Sequence, residues 1–570
     1  MAVKLTIDKL SGHDQEGTVG KINIQIGNEL KIGDQLFTIE SGKGTMKFKS
    51  KFEGKLLELN IEEGDVVKLN QVIGLVDGKE TKTASIKPKE KKKTYSFGLN
   101  TPSKEDIFCD VVVVGGGPGG YVAAIRAAQL GLNTVLIEKD KLGGTCLNYG
   151  CIPTKALVQS TSVLENVKRS NHYGFSVDNL SIDFGRVIER KDEVVEQLVS
   201  GINGLMDKHS IRVIKGEAVA SDKETLTVKT KKINATVKFN KMILALGASP
   251  TIIPIEGANL SQVLTSKEIL ELKEIPKSLT IIGGGIIGME IAFIYNALGS
   301  DVSVIEYLPR ILSCLDSDVG EVVRASAIEK GIHIYDGAGA VSIKKAMNNQ
   351  MVTEMAVENE KYLVTSEKIL MAVGRKANIN SINLDVLGVD LNEGNNGVKV
   401  NEYMQTSNEN IYAIGDLTNI IQLAHVASHQ GMIAAEHISG LDHKMHYDVV
   451  PSAIFTSPEV GTVGINETEA YEKGLDVKVI KFPFMACGKA VAMNESEGFI
   501  KLIADKNTNT LIGGAIVGGH GTDLIAVISN LIQEKTELDK SREVIYAHPT
   551  LAEGIHEGLL MLDDRGIHFG

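Results

Sequence analysis

The sequence predicts a multidomain α/β protein: a small all-β N-terminal domain, two dinucleotide-binding units of alternating strands and helices, and a C-terminal α+β domain. Three features predict this order. The first 78 residues contain an internal repeat, residues 79–93 are rich in lysine, and two glycine-rich loops each join a strand to a helix. At 570 residues the chain is long enough for about four domains.

The overall composition is that of a soluble globular protein, with 43% apolar and 23% charged residues. The formal net charge of −12 argues against nucleic acid as a partner, because nucleic-acid-binding proteins carry a basic face. The sequence has no apolar run long enough to span a membrane and no apolar signal segment at its start. We therefore expect a cytoplasmic protein, in which a close pair among the five cysteines is more often catalytic or metal-binding than structural.

Residues 1–78 consist of two similar halves. The stretch that begins at Glu16 matches the stretch that begins at Glu53, and further glycine and apolar positions repeat at the same offset of 37 residues. Short alternating segments in each half predict strands, so the halves should pack as a two-sheet unit. Glycines flank Lys43 at the join, which predicts a tight hairpin tip that presents one lysine to solvent.

This region resembles the lipoyl domains over nearly all of its length. In that family a lysine at the hairpin tip carries lipoic acid in an amide bond, so the resemblance implies lipoic acid on Lys43. The family usually has Asp-Lys-Ala at the tip, whereas this chain has Gly42-Lys43-Gly44, and an unmodified turn lysine stays open as an alternative. Lys47, in a segment similar to the biotinyl motif, is too close to the second half and should lie along a strand.

The lysine-rich segment that follows holds seven lysines and two glutamates within residues 79–93. It cannot form a core, so we expect a flexible linker over residues 79–105. About 25 residues of such a chain span roughly 25–30 Å on average and let the N-terminal domain swing. Binding of the lysines to an acidic surface is the alternative.

The first glycine-rich loop follows a strand that ends at Val114 and precedes an alanine-rich helix expected from Tyr121. Its GxGxxG spacing lets the backbone approach a pyrophosphate at the helix N-terminus. An acidic residue, 18 positions past the last glycine, can accept a hydrogen bond from a ribose hydroxyl. The pattern predicts a Rossmann-like site formed by Gly115, Gly117, Gly120 and Glu138.

The same unit recurs further along the chain, where a strand that ends at Ile282 leads into a second GxGxxG loop. Two such sites imply two dinucleotides and electron transfer between them. The acidic residue of the second unit would accept from a free 2′-hydroxyl and repel a 2′-phosphate, so we expect NAD rather than NADP. The expected binding residues are Gly283, Gly285, Gly288 and Glu306.

Two cysteines, Cys146 and Cys151, lie five residues apart between the loops. An ideal helix would separate their Cα atoms by roughly 8–9 Å, whereas a disulfide needs less than about 7 Å. A bridged pair therefore requires Cys146 in an irregular turn before a helix, with Gly150 and Pro153 favouring that break. Cys151 would then lie at the helix N-terminus, which favours a thiolate. Two inert cysteines stay open; a metal site is not expected, because no second cysteine pair completes it.

Residues 106–570 resemble the disulfide-linked flavoprotein reductases and, among them, the dihydrolipoamide dehydrogenase family. Six motifs match in order along the chain: GGGPGG, GGTCLNYGCIPTK, GGGIIGME, AVGR, YAIGD and HPTLAE. The resemblance implies FAD at the first site and NAD at the second. The expected domains are a lipoyl domain at 1–78, a linker at 79–105, an FAD-binding domain at 106–255 and 378–450, an NAD-binding domain at 256–377 and a dimerisation domain at 451–570.

The resemblance also implies catalytic roles. Cys146 would be the interchange thiol, and Cys151 the sulfur nearer the flavin. His548, oriented by Glu553, would be the catalytic base and would come from the neighbouring subunit of a homodimer. The implied activity is the oxidation of protein-bound dihydrolipoamide with NAD⁺. The implied partners are the lipoyl domains of 2-oxo acid or acetoin dehydrogenase complexes or of the glycine cleavage system.

Further residues are implied at the cofactors. Lys155 would lie beside the isoalloxazine and pair with Glu290, where a cation stabilises negative charge on the reduced flavin. Leu246 and Ala248 stand where the family usually has hydroxyl residues, so we expect altered packing there and retained FAD. The other residues implied are Lys139, Thr145, Gly216, Asp416, Leu423, Ala424 and His425 for FAD and Gly374 on the NAD side.

Three alternative functions differ in features of the sequence. A glutathione reductase would prefer a basic second site, which Glu306 opposes. A mercuric reductase would carry a cysteine pair near its C-terminus, and the tail from Leu559 has none. A non-catalytic carrier that only presents Lys43 would not need its cysteine pair or His548, yet the chain has them.

Overall fold

The computed structural model describes residues 2–7, 16–31, 34–41, 44–50, 53–69, 71–79, 103–230, 233–358 and 360–569. The chain divides into two compact units, residues 1–100 and 101–570. Among the helices in the described ranges, none is long and apolar enough to cross a membrane. The predicted fold class, an all-β domain before α/β units and an α+β region, is confirmed.

The described part of the N-terminal unit forms two four-stranded antiparallel sheets. The internal repeat explains their symmetry, because strands that start at residues 16, 29 and 35 recur at residues 53, 66 and 72. Apolar side chains from both halves, Val19 and Leu56 among them, fill the core. The first sheet has the order Ala2–Thr6, Val72–Lys79, Glu53–Leu59 and Glu29–Leu30, and the second the order Gly44–Lys49, Gln35–Ser41, Glu16–Ile22 and Val66–Lys68.

Lys43 and most of the expected linker lie outside the described residues. The strands that flank Lys43 in the sequence, Gln35–Ser41 and Gly44–Lys49, pair antiparallel up to Ser41 opposite Gly44. The last strand of the N-terminal unit ends at Lys79, and the next described strand begins at Ser103.

The first α/β unit contains a sheet that has seven strands in the described chain. Residues 111–114 are buried on both faces, as a central parallel strand requires. The helix after the first glycine loop begins at Pro118, earlier than the expected Tyr121, because proline suits the first helical turn. The sheet order is Arg212–Lys215, Thr134–Glu138, Ser103–Val114, Ile233–Leu244, Thr225–Lys229 and Glu217–Ala220, with Ile411–Ala413 beside Ile233–Leu244. The helices are Pro118–Gln129, Gly144–Tyr149, Cys151–Lys168, Phe184–Lys208, Leu384–Leu387 and Ala424–Ile438.

The second α/β unit has a parallel sheet of five strands within the described residues. Both glycine loops follow the carboxyl ends of parallel strands, which is where α/β sheets bind dinucleotides. The sheet order is Val263–Leu264, Lys368–Met371, Ser278–Ile282, Asp301–Ile305 and His333–Tyr335. Other elements are helices Ile286–Ala297 and Ser317–Glu329, an antiparallel sheet of Gly339–Lys345, Met351–Val357 and Glu360–Ser366, and the strand pair Ala248–Pro250 and Arg375–Ala377.

The C-terminal region has an antiparallel sheet of five described strands with helices packed on it. Its order is Ser452–Ile454, Val460–Gly464, Thr510–Val517, Phe499–Asp505 and Val477–Pro483. The helices are Glu467–Glu472, Gly488–Met493, Gly521–Gln533, Leu538–Arg542 and Glu553–Met561. Short 3₁₀ turns elsewhere in the second unit are Ser170–Tyr173, Glu268–Glu271, Gly415–Thr418 and Phe484–Ala486.

Candidate active site

A cavity of about 1390 Å³ lies in the second unit and extends along both glycine loops. This volume exceeds the roughly 300–1,000 Å³ of an ordinary ligand pocket and leaves room for more than one dinucleotide. Every residue that the sequence assigns to the FAD and NAD sites lines the cavity, with the exception of Gly288. Cys146 and Cys151 line the same cavity.

The first glycine loop is held from two sides. The amide of Gly116 donates to Glu138 Oε2 at 2.6 Å, and its carbonyl accepts from the amide of Gly143 at 2.8 Å. Glu138 Oε1 accepts from the amide of Asp140 at 2.7 Å. Each carboxylate oxygen keeps a second lone pair, so Glu138 can hold the loop and still accept from a ribose hydroxyl.

The second glycine loop has the same arrangement. The amide of Gly284 donates to Glu306 Oε2 at 2.6 Å, and its carbonyl accepts from the amide of Leu312 at 2.9 Å. Glu306 Oε1 accepts from the amide of Leu308 at 2.7 Å. The sequence predicted an acidic ribose acceptor here, and the structure adds that the same carboxylate supports the loop.

The two loops fit dinucleotides because of the room that glycine leaves. A Cβ at Gly120 would lie 1.8 Å from the Gly115 carbonyl oxygen, and one at Gly288 would lie 1.9 Å from the Gly283 oxygen. The helices that follow begin without a side-chain cap, so their first amides remain available to a pyrophosphate. The residues present therefore fit FAD at the first loop and NAD at the second.

The cysteines lie on two consecutive helices. Cys146 is in the short helix Gly144–Tyr149, and Cys151 is the first residue of Cys151–Lys168. The expectation of an irregular turn at Cys146 is wrong: the break falls instead at Gly150, whose φ of −147° and ψ of −110° interrupt the helical path. Pro153 is the third residue of the helix and not the first, because the helix already begins at Cys151.

The two thiols differ in acidity. A hydrogen bond with Cys146 lowers the pKa of Cys151 from 9.0 to about 7, against the effect of burial and with help from the charge of Lys155. The same contact, together with burial, raises the pKa of Cys146. The surroundings of the pair therefore favour the thiolate at Cys151 over the thiolate at Cys146.

An ion pair lies next to the thiolate position. Lys155 Nζ is 3.0 Å from both carboxylate oxygens of Glu290. The ring of Phe455 lies 4.4 Å from the same ammonium, and the Phe455 amide donates to Glu290 Oε1 at 3.0 Å. The sequence did not indicate a role for Phe455, which approaches from a distant part of the chain.

Among the other residues that line the cavity, burial raises the pKa of Asp416, although the charge of Arg375 opposes the shift. Arg375 Nε lies 3.7 Å from Asp416 Oδ2, and its Nη2 donates to the carbonyl of Ala248. His425 Nε2 makes a hydrogen bond of 2.9 Å with the carbonyl of Pro451. The imidazole is thus already engaged, and the backbone at the start of Ala424–Ile438 is the part that can contact a cofactor.

His548 and Glu553 form a pair in the C-terminal region. His548 Nδ1 is 2.8 Å from Glu553 Oε1, and the amide of Thr550 donates to Glu553 Oε2 at 2.8 Å. The His548 side chain is 80% exposed, and neither member of the pair lines the cavity of its own chain. The described residues include no group of three His, Cys, Asp or Glu side chains that could hold a metal ion.

Three family models match the chain. The model for pyridine nucleotide-disulphide oxidoreductases matches residues 109–431, and the model for their dimerisation domain matches residues 450–559. A biotin and lipoyl domain model, described as biotin-requiring enzyme, matches residues 5–76.

The relatives cover nearly all of the second unit. A dihydrolipoyl dehydrogenase from Chlamydia muridarum is 41% identical over 465 residues, or 80% of this chain and 98% of that protein. One from Bacillus subtilis is 40% identical over 472 residues, or 81% and 99%. LpdA from Mycobacterium tuberculosis has a TM-score of 0.74 at 26% identity, over 80% of this chain and 99% of that one. The flavoprotein disulfide reductase RclA from Escherichia coli has a TM-score of 0.71 at 28% identity, over 79% and 99%. The chain therefore belongs to the dihydrolipoyl dehydrogenase family of pyridine nucleotide-disulphide oxidoreductases and carries a lipoyl-type domain at its N-terminus.

Proposed function

We propose that this chain oxidises protein-bound dihydrolipoamide to lipoamide and reduces NAD⁺ to NADH and a proton, using a Cys146–Cys151 disulfide and FAD. The observation that carries the proposal is that one cavity contains both glycine loops, both cysteines and the Lys155–Glu290 ion pair. Two electrons can therefore pass from a dithiol to a nicotinamide within a single site.

The sulfur exchange begins with a proton transfer. The Nε2 atom of His548 accepts a proton from a substrate thiol, because the Nδ1 atom is hydrogen-bonded to Glu553. The substrate thiolate attacks Cys146, the Cys146–Cys151 bond breaks, and Cys151 leaves as a thiolate. The second substrate thiol then releases its proton to solvent, its sulfur closes the lipoamide disulfide, and Cys146 leaves and takes the proton held by His548.

The lowered pKa of Cys151 makes it a good leaving group in this exchange. Lys155 stabilises the thiolate, and Glu290 fixes the ammonium that faces it. FAD held at the first glycine loop would supply a two-electron carrier between these sulfurs and NAD⁺.

We propose that the active unit is a homodimer in which each chain supplies the base for the other. His548 and Glu553 do not line the cavity of their own chain, and they belong to the segment that matches the dimerisation domain. A second copy is therefore the natural source of the imidazole.

We further propose that Lys43 carries lipoic acid, since it lies within the stretch that matches the biotin and lipoyl domain model. The lysine-rich linker would raise the concentration of this dithiol near the cavity. The partners we expect are lipoyl domains of 2-oxo acid or acetoin dehydrogenase complexes or of the glycine cleavage system. We expect a cytoplasmic location, where a close cysteine pair is more often catalytic than structural.

The test compares Cys146→Ser and Cys151→Ser with Cys109→Ala, at a buried cysteine outside the cavity. Either of the first two should lower NAD⁺ reduction by free dihydrolipoamide at least ~10³-fold, because the cysteines act as one unit. All three variants should keep the flavin absorbance. Full turnover in Cys146→Ser or Cys151→Ser, or a purified wild-type protein without flavin absorbance, would overturn the proposal.

A second measurement addresses the carrier. Intact mass should show a lipoyl adduct that Lys43→Arg lacks, and this variant should still oxidise free dihydrolipoamide at the wild-type rate. An unmodified mass from cells that lipoylate other proteins would contradict the assignment of Lys43.

A further inference from the structure

Lys501 is a buried lysine that the proposed reaction does not use. It lies in the strand Phe499–Asp505 of the C-terminal sheet, and its side chain is only 1% exposed. Its Nζ lies 2.9 Å from Asp316, 3.0 Å from Asp318 and 2.5 Å from Glu467. A second lysine, Lys481, lies 2.5 Å from Asp318. Two ammonium groups thus meet three carboxylates where the second α/β unit contacts the C-terminal sheet.

Asp316 joins the two regions by more than one bond. It precedes the helix Ser317–Glu329 of the second α/β unit, and its side chain is buried. Besides Lys501, it accepts from the amides of Glu467 at 3.2 Å and Thr468 at 3.5 Å, at the start of a helix in the C-terminal region. The end of the segment 306–316 is therefore fixed to the C-terminal region.

The other parts of this segment hold the second glycine loop. Glu306, at its start, accepts from the Gly284 amide at 2.6 Å, and Leu312 donates to the Gly284 carbonyl at 2.9 Å. Leu312 has a φ of 47°, a conformation that a leucine keeps only when its surroundings hold it. Leu312 also lines the cavity, so the segment is a wall of the site as well as a support of the loop.

The surrounding charges explain why Lys501 stays protonated in this buried position. Burial by itself would lower the pKa of Lys501, but hydrogen bonds to Glu467, Asp316 and Asp318 raise it, so the side chain remains an ammonium. Removal of the ammonium would leave the three carboxylates with Lys481 as their remaining partner. Breaking a buried pair at one partner is more disruptive than replacing the whole pair by apolar groups. The end of the segment 306–316 would then keep the amide bonds from Glu467 and Thr468 but lose its charged partner.

We propose that Lys501 is a positioning residue for the nicotinamide dinucleotide, which acts through Asp316 and the segment 306–316 on the glycine loop at Gly284. This inference rests on the proposed function in assigning that loop to NAD. It connects the dimerisation region with NAD affinity, because the strand that carries Lys501 belongs to the C-terminal sheet.

The experiment uses the full-length holoenzyme with Lys501→Met and, as a matched control, Lys506→Met. Lys506 forms an exposed ion pair with Asp476 just beyond the same strand. Calorimetric titration should show NAD⁺ binding to Lys501→Met weakened by about fivefold or more, the lower end of couplings between sites. KM for NAD⁺ should rise in parallel, while KM for dihydrolipoamide, kcat at saturating NAD⁺ and flavin content stay at wild-type values. The control should match the wild type throughout.

Asp316→Asn is the second variant, for the case in which Lys501→Met does not fold. It leaves Lys501 with Asp318 and Glu467, so the charges remain balanced, and it should weaken NAD⁺ binding in the same direction by a smaller factor. A folded variant with unchanged NAD⁺ affinity, or a fall in kcat with unchanged KM for NAD⁺, would overturn the inference. A wild-type holoenzyme that binds no NAD⁺ would instead overturn the proposed function.

Discussion

Both glycine loops are clamped in the same way, yet the clamps continue into different parts of the molecule. In the first loop the Gly116 carbonyl accepts from Gly143, and in the second the Gly284 carbonyl accepts from Leu312. Past Gly143 the chain enters the helix of Cys146, whereas past Leu312 it reaches Asp316 and the C-terminal region. Identical local hydrogen bonding thus serves two purposes. The first loop is tied to the helix that contains Cys146, and the second is tied to the C-terminal region.

The largest effect should come from adding a methyl group at the last glycine of each loop in turn. Gly120→Ala places a methyl group 1.8 Å from the Gly115 oxygen, and Gly288→Ala places one 1.9 Å from the Gly283 oxygen. The first variant should lose FAD altogether. The second should keep FAD and bind NAD⁺ at least ~10-fold more weakly, since such an overlap costs more than the roughly 1.4 kcal/mol that a factor of ten represents. Flavin absorbance and NAD⁺ titration calorimetry measure the two outcomes.

The comparison would break if Gly288→Ala released the flavin, because the loops would then depend on each other. It would also break if Gly120→Ala retained a full complement of flavin. Gly131→Ala is not a clean control, since Gly131 has a positive φ of 85°, but Gly201→Ala tests an open helical position in the same unit.

A smaller effect should follow from loosening one clamp at a time. In the wild type each carboxylate oxygen of Glu306 accepts from one amide, that of Gly284 or that of Leu308. Glu306→Gln keeps an acceptor for one of these amides but turns an NH₂ group towards the second amide. The loss of a bond to a charged acceptor costs about 1.5 kcal/mol or more, so KM for NAD⁺ should rise roughly tenfold. Glu138→Gln should leave that KM unchanged and make FAD easier to remove by dialysis. A rise in KM for NAD⁺ in both variants would show that the clamps are not independent.

The smallest effect concerns Cys151, the partner of Cys146 at the start of the next helix. The pKa of about 7 for Cys151 means that its thiolate fraction falls as the pH drops through 7. Lys155→Met removes a cation that favours the thiolate, so this pKa should rise by roughly one unit. The measurement is the pH dependence of iodoacetamide labelling of the reduced enzyme, with Cys146 and Cys151 resolved by fragmentation of the labelled peptide. Lys168→Met, at the other end of the same helix, should leave the midpoint unchanged, and a downward shift in Lys155→Met would contradict the assignment.

Local patterns were sufficient to predict the parts of the site that adjacent residues build. Glycine spacing predicted the two loops, and the residues around Gly150 predicted that Cys151 lies at a helix N-terminus, as it does. The short helix that contains Cys146 was missed: an irregular turn was expected there, although the glycines on both sides of Cys146 also fit the two ends of a short helix. Among these glycines, Gly150 alone marks the break between the two helices that carry the cysteines.

Contacts between remote residues had weaker signals. Phe455 donates to Glu290 across 165 residues of sequence, and Lys501 binds Asp316 across 185. Nothing near Phe455 marks it, but Lys501 stands in the apolar strand sequence FIKLIAD, where a single lysine among buried neighbours indicates a buried partner. The position of His548 outside its own cavity was expected from the family resemblance alone, because residue spacing does not show how far separate elements lie from one another.

The N-terminal unit begins and finishes on neighbouring strands of one sheet, with Ala2 opposite Asp77. A β-sandwich whose two ends meet in this manner forms its hydrophobic core from its own residues. The core of such a module does not depend on the catalytic chain that follows it. Fusion of a carrier to an oxidoreductase therefore requires no redesign of either core.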